Sequence, residues 1–161
     1  GFWQMECYGP DGSLKWAADW ENLVVNVGLD HLLDATLSGA TQITTWYVGL
    51  VDGATPTFAG ADTMASHAGW TENQNYSEAT RPVWTDGGVS GQSVDNSASK
   101  ASFSINANGQ TIGGAFLTSN NTKGGTTGTL YAEGDFSPDK TADNGDTLQV
   151  TGTFTAADDG V

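Results

Sequence analysis

Lys100-Ala101-Ser102-Phe103-Ser104-Ile105 alternates polar and apolar side chains one for one, and then meets Asn108-Gly109. A period of two cut short by a turn dipeptide is the pattern of a strand with one buried face. It predicts a hairpin from this strand into Ile112-Gly113-Gly114-Ala115-Phe116-Leu117. The adjacent glycines there predict a bulge or a close backbone approach. The pattern returns in Thr129-Leu130-Tyr131-Ala132-Glu133. It returns again after Asp143-Asn144-Gly145-Asp146, where Leu148, Val150 and Phe154 fall on one face of the segment from Thr147 to Thr155. Short strands with a turn about every 8 to 12 residues bury their apolar faces by packing against a second sheet. The expected fold is therefore mainly β, a single-domain antiparallel β-sandwich.

The first half adds a few elements to that frame. Phe2 to Tyr8 partly alternates, and Gly9-Pro10-Asp11-Gly12 is a turn that returns the chain along Ser13 to Trp20. One short α-helix is expected at about residues 27–38, because Leu29, Leu32, Leu33 and Leu37 recur at helical spacing. Asn26 is placed to cap its start and Gly39 to stop it. Ile43 to Val51 reads as a strand. Residues 52–78 form a long loop, with one helical turn over Asp62 to Ala68, and a loop of that length is often functional. Arg81 to Thr85 reads as a strand whose Pro82 belongs at an edge. The chain then divides into an N-terminal strand or arm (1–12), the sandwich (13–157) and a frayed tail (158–161). No repeat of 20 to 50 residues is visible.

Composition excludes several functions. The chain has 161 residues, with six Trp, six Phe and four Tyr, enough large side chains for a real core and unlike a disordered acidic chain. Against 19 Asp and Glu stand five Lys and Arg, giving a net charge of -14. Those five, Lys15, Arg81, Lys100, Lys123 and Lys140, stand singly, whereas nucleic acid and anionic lipid both call for clustered cations. Neither is an expected partner. Apolar runs such as Leu23-Val24-Val25 do not exceed three residues, far too short for a membrane span, and no signal-peptide pattern opens the chain.

Catalytic and metal-binding patterns are weak. Cys7 is alone, so it forms no internal disulfide and reads as a small hydrophobe. His31 has Asp34 three residues along the helix, as an orienting pair would, yet no Ser or Cys stands in a nucleophile context. His67 falls in the long loop and reads as exposed. No spacing suits zinc. Asp139-Lys140-Thr141-Ala142-Asp143-Asn144-Gly145-Asp146 offers oxygens at alternate positions as calcium loops do, but Asn144 and Val150 stand where Gly and Glu are needed. An acidic turn accounts for it better. Gly113-Gly114 and Gly124-Gly125 lack the context of a phosphate loop. Most Trp residues suit a core, with Trp70 and Trp84 the best candidates for exposure. No catalytic residue, cofactor or metal is expected.

One pattern resembles a known family. Asn22-Leu23-Val24-Val25-Asn26-Val27-Gly28-Leu29-Asp30, followed by Thr41-Gln42-Ile43-Thr44-Thr45-Trp46-Tyr47-Val48-Gly49-Leu50, resembles small structural proteins of tailed bacteriophages. The likeness continues through Asp62 to Glu72, Tyr76 to Pro82, Ala101 to Asn106, Gly113 to Thr118 and Asp143 to Leu148. The resemblance implies a head decoration (cement) protein, made in the host cytoplasm, that sits on the outer capsid surface, binds the major capsid protein and stabilises the head. It implies sister copies as further partners, with a trimer as one arrangement, and no catalytic residues. The interface is expected at Phe2, Trp3, Met5 and Trp70, the first three on the terminal arm. Deleting residues 1–8 is then expected to abolish capsid binding and leave the domain folded. The alternatives are a tail-fibre or tail-tip module that binds host polysaccharide, and a glycan-cleaving enzyme with converging carboxylates.

Overall fold

The computed structural model describes residues 1–53 and 55–157; the tail expected at 158–161 lies outside them. In chain order the strands are β1 (Phe2–Tyr8), β2 (Leu14–Glu21), β3 (Leu23–Val24), β4 (Trp46–Asp52), β5 (Glu72–Asn73), β6 (Val83–Trp84), β7 (Ser93–Asp95), β8 (Ala101–Ser104), β9 (Gln110–Thr118), β10 (Leu130–Ala142) and β11 (Thr147–Thr155). Helix α1 (Asn26–Leu33) lies between β3 and β4. The strands form two antiparallel sheets packed face to face, as the alternation predicts. The first runs β2-β1-β11-β7, with β8 also on β11, and the second runs β3-β10-β9-β4-β5, with β6 also on β4.

The β1–β2 hairpin closes as its turn residues predict. The Gly12 N–H donates to Gly9 O, and Gly12 takes φ +80°, which costs a glycine little. β1 is not an arm, however. It lies between β2 and β11, with Phe2 opposite Thr153 and Tyr8 opposite Thr147. Trp3, Met5 and Cys7 alternate inward and are wholly buried between the sheets with Val48, Leu50, Phe103, Ile112, Leu148 and Val150. The boundary at residue 12 is therefore corrected: 1–12 belong to the sandwich.

Asn108-Gly109 does turn the chain, with Gly109 at φ +64°, but it does not make a hairpin. β8 pairs with β11 and β9 with β10, so the chain changes sheets here. The turn between β10 and β11 also changes sheets, and the two lock together. Ile105 N–H donates to Asp146 O, Gly109 N–H to the Asp143 carboxylate, and Asn144 N–H to the Asn108 side chain. The dipeptide specifies a local reversal, and these long-range bonds choose the partner. The bulge predicted at the paired glycines is present. Residue 113 is skipped in the pairing of β9 with both neighbours, and a Cβ on Gly114 would strike Gly134 O.

Residues Ile112 to Thr118 are buried at every position. One face meets the first sheet. The other carries Phe116, which with Val51 and Leu130 is covered by Val25, Met64 and Trp70. The 52–78 segment thus lays Phe58, Met64 and Trp70 as a third layer over the second sheet and then joins that sheet beside β4 as β5. In place of the expected helical turn Thr63 and Ser66 bond reciprocally around Met64-Ala65. That tight reversal brings Met64 and Trp70 onto Phe116.

α1 continues into a wide π-type turn over Asp34–Ser38 and stops at Gly39, which has φ +75°. Val25, not Asn26, precedes its first turn, and no side chain caps it; the Asn26 N–H goes to Gly60 O. Gly28 lets the helix lie directly on β10, where a Cβ would strike Tyr131 O. β4 begins at Trp46, later than expected, and Val83–Trp84 alone pairs beside it, with Pro82 on the edge as predicted.

Candidate functional site

Seating α1 on β10 through Val25 and Gly28 turns its leucines outward. Leu29 and Leu32 are exposed, Leu33 is 54 % exposed and Leu37 80 % exposed. Spacing of this kind ordinarily marks a buried face. Here the buried side holds Val25 and the glycine, and the leucines stand in solvent.

Beside them, an apolar groove of about 350 Å³ opens at one end of the sandwich. His31, Leu32, Ala35 and Thr36 line it from the helix and its continuation, and Val89 and Val94 from the segment between β6 and β8. Trp46, Trp84, Leu117, Tyr131 and Phe154 complete the lining. Edge-to-face aromatic contacts join these rings to one another and to the core. His31 meets Trp46 at 5.7 Å between ring centres, Trp46 meets Tyr131 at 5.3 Å, Tyr131 meets Phe154 at 5.3 Å, and Phe154 meets Trp3 at 5.7 Å in the core. His31 Nε2 accepts the Ile43 N–H at 3.4 Å, which ties residues 39–45 to the helix. His31 therefore serves packing, and no hydrogen bond joins it to Asp34.

The residues expected at an interface do not come together. Phe2 is 46 % exposed, but Trp3 and Met5 are buried between the sheets. Trp70 is 4 % exposed, pinned between Phe116 and the stacked ring of His67 at 3.9 Å. The expectation for these three is corrected, for the same reason in each case. Their neighbours supply apolar area that outweighs any gain from exposure. Trp84 is buried too, its Nε1 donating to Gly152 O, and His67 is half-buried against Trp70.

Beneath Trp70 lies a carboxylate that sequence reasoning missed. Glu133 is wholly buried on β10, and its Oε2 accepts the Trp70 Nε1–H at 2.9 Å while Oε1 has no partner. Burial first, and the carboxylate of Asp62 second, push Glu133 up to about 8. With no exposed surface it meets no substrate. Arg81 is buried in the same layer, held by both oxygens of Glu72, at 2.9 and 2.8 Å, and by Asn120 O and Gly125 O. A buried charge is tolerated only when paired and hydrogen-bonded in this way.

The acidic turn is likewise occupied by the protein itself. Asp146 Oδ2 accepts from Lys15 Nζ at 2.6 Å and from the Asp143 N–H at 2.8 Å, and the Cys7 Sγ lies 3.7 Å away. Burial raises Asp146, but Lys15 and that N–H outweigh it, and the net shift is downward. Burial, then Asp146, pushes the Cys7 thiol up to about 12, so it is unreactive near neutrality. Among the described residues no three or more His, Cys, Asp or Glu side chains gather as a metal site. No helix is long and apolar enough to cross a membrane among them. Compared with protein families and with curated proteins, the sequence matches none.

The arrangement presents an exposed apolar surface, made of the leucines and the groove. Only its helical spacing was visible beforehand. The signal that it faces outward is the glycine at position 28, which marks the side where the helix lies closest to a strand.

Proposed function

We propose that this chain is a capsid decoration (cement) protein of a tailed bacteriophage, docking on the outer surface of the shell through the leucines of α1 and of the turn that continues it, and through the adjoining groove. The observation that carries the docking surface is the outward row Leu29, Leu32, Leu33 and Leu37 on a helix fixed to the sandwich. Contiguous exposed apolar side chains of this size mark interaction surfaces. The head location rests on the sequence resemblance to phage structural proteins. A net charge of -14 supports a place away from packaged DNA. The polysaccharide reading draws less support, because Trp3, Trp20, Trp70 and Trp84 are buried and offer no stacking platform.

The test is co-sedimentation of the purified protein with phage heads that lack it. The expected result is uptake at a stoichiometry near that of the major capsid protein, lost in Leu33→Asp/Leu37→Asp. Uptake of a few copies per particle at the tail, or full uptake by the double variant, refutes the reading.

A further inference from the structure

The joint between the two sheet crossings holds two Asn-Gly pairs, Asn108-Gly109 and Asn144-Gly145, with all four residues exposed. Asparagine before glycine is open to attack by the following backbone nitrogen on its side-chain amide, because the glycine has no Cβ to obstruct it. The two pairs stand in different surroundings. The Gly109 N–H donates to Asp143 Oδ1 at 2.9 Å, while Lys15 Nζ lies 3.5 Å from Asp143 Oδ2. Asn108 Oδ1 accepts the Asn144 backbone N–H at 3.1 Å. The Gly145 N–H is also engaged at 2.9 Å, but its acceptor is the Ile105 carbonyl, which is no base. Among the described residues no donor reaches the Asn144 side-chain oxygen.

From this geometry we infer that Asn108 is a modification site, where the fold itself promotes closure to a succinimide and loss of ammonia. Gly109 N attacks Asn108 Cγ and forms the new C–N bond. The Asp143 carboxylate takes the Gly109 proton, and the Asn144 N–H stabilises the negative charge that develops on Asn108 Oδ1. Both distances lie within the reach required of a general base and of an oxyanion donor. The Cγ–Nδ2 bond then breaks, the proton passes to the departing nitrogen, ammonia leaves, and Asp143 is a carboxylate again. Water opens the ring to aspartate or isoaspartate, so nothing is oxidised or reduced and water is the one further reactant. Nucleophile and electrophile belong to adjacent residues, so closure brings no separate groups together. No heavy atom lies within 4 Å of where a Gly109 side chain would stand, which leaves the turn room to move. The product carries a new carboxylate one residue from the N–H that binds Asp143, and like charges there loosen the joint.

The experiment incubates the intact protein at neutral pH and follows both asparagines by peptide mapping and mass spectrometry, reading the mass gained as an amide becomes an acid. Asn144 is the control within the same molecule. In the native protein Asn108 should convert at least about tenfold faster than Asn144. In urea, where only the local sequence acts, the two should convert at comparable rates. Asp143→Asn keeps an acceptor oxygen for the Gly109 N–H but supplies no base, so it should bring the native Asn108 rate down to that of Asn144. Circular dichroism checks that this variant is folded; if it is not, the comparison of native and urea-unfolded parent decides alone. A preference for Asn108 that is no greater in the native protein than in urea overturns the inference, since the bonds then only hold the turns still. So does an Asn108 rate that folded Asp143→Asn leaves unchanged.

Discussion

Glu133 is a carboxylate buried wholly out of water. Its folded-state value of about 8 stands above the ordinary 4.5, so between those limits the native protein holds a proton that the unfolded chain has released. Stability therefore falls as pH rises across that window and levels off above it. Glu133→Gln keeps an oxygen for Trp70 Nε1 and removes the charge. The variant should show a flatter pH profile in urea denaturation, and above the window it should exceed the parent by about 2 kcal/mol or more. Parallel profiles for the two proteins would contradict this assignment. Asp146 works in the opposite sense. Held down by Lys15, it contributes stability above its ordinary value that is lost as pH falls through the lowered one.

Among the elements, β1 matters most. Its removal would strip Trp3, Met5 and Cys7 from the core and expose the β11 ladder. Losing a buried Trp and a buried Met costs about 3–5 and 2–5 kcal/mol, which together approach the whole stability of a domain. A chain lacking residues 1–8 should give no folded far-ultraviolet spectrum; a native spectrum would show that β1 is dispensable. The alternation of Trp3, Met5 and Cys7 and its hairpin with β2 were legible, but its position inside a sheet was not, because the second partner, β11, lies at the far end of the chain. The same limit explains Asn108-Gly109, whose turn chemistry is identical in a hairpin and in a crossing between sheets. α1 shows the converse. Its helical spacing was plain, yet the apolar row faces solvent, because backbone contact at Gly28 decides which side is buried. The third layer was hidden for another reason. Met64 and Trp70 sit in a stretch with no periodicity, and their main partners, Phe116, Leu130 and Glu133, come from strands distant in the sequence.

At the scale of the whole molecule, nearly every strand pair of the first sheet joins distant parts of the sequence. Topologies dominated by such pairings fold in roughly milliseconds to seconds, because loop closure precedes its reward. Stopped-flow tryptophan fluorescence should place refolding in that range, and a microsecond phase carrying the full amplitude would argue against the pairing described. The β1–β11 pairing has a second consequence. Phe2 faces Thr153, and the next residue of β11, Phe154, lines the groove, so the start of β1 and the end of β11 lie together beside it. Any polypeptide joined to either end is thereby tethered next to that surface, at an effective concentration in the millimolar range if the linker is short and flexible, about 1 mM or more.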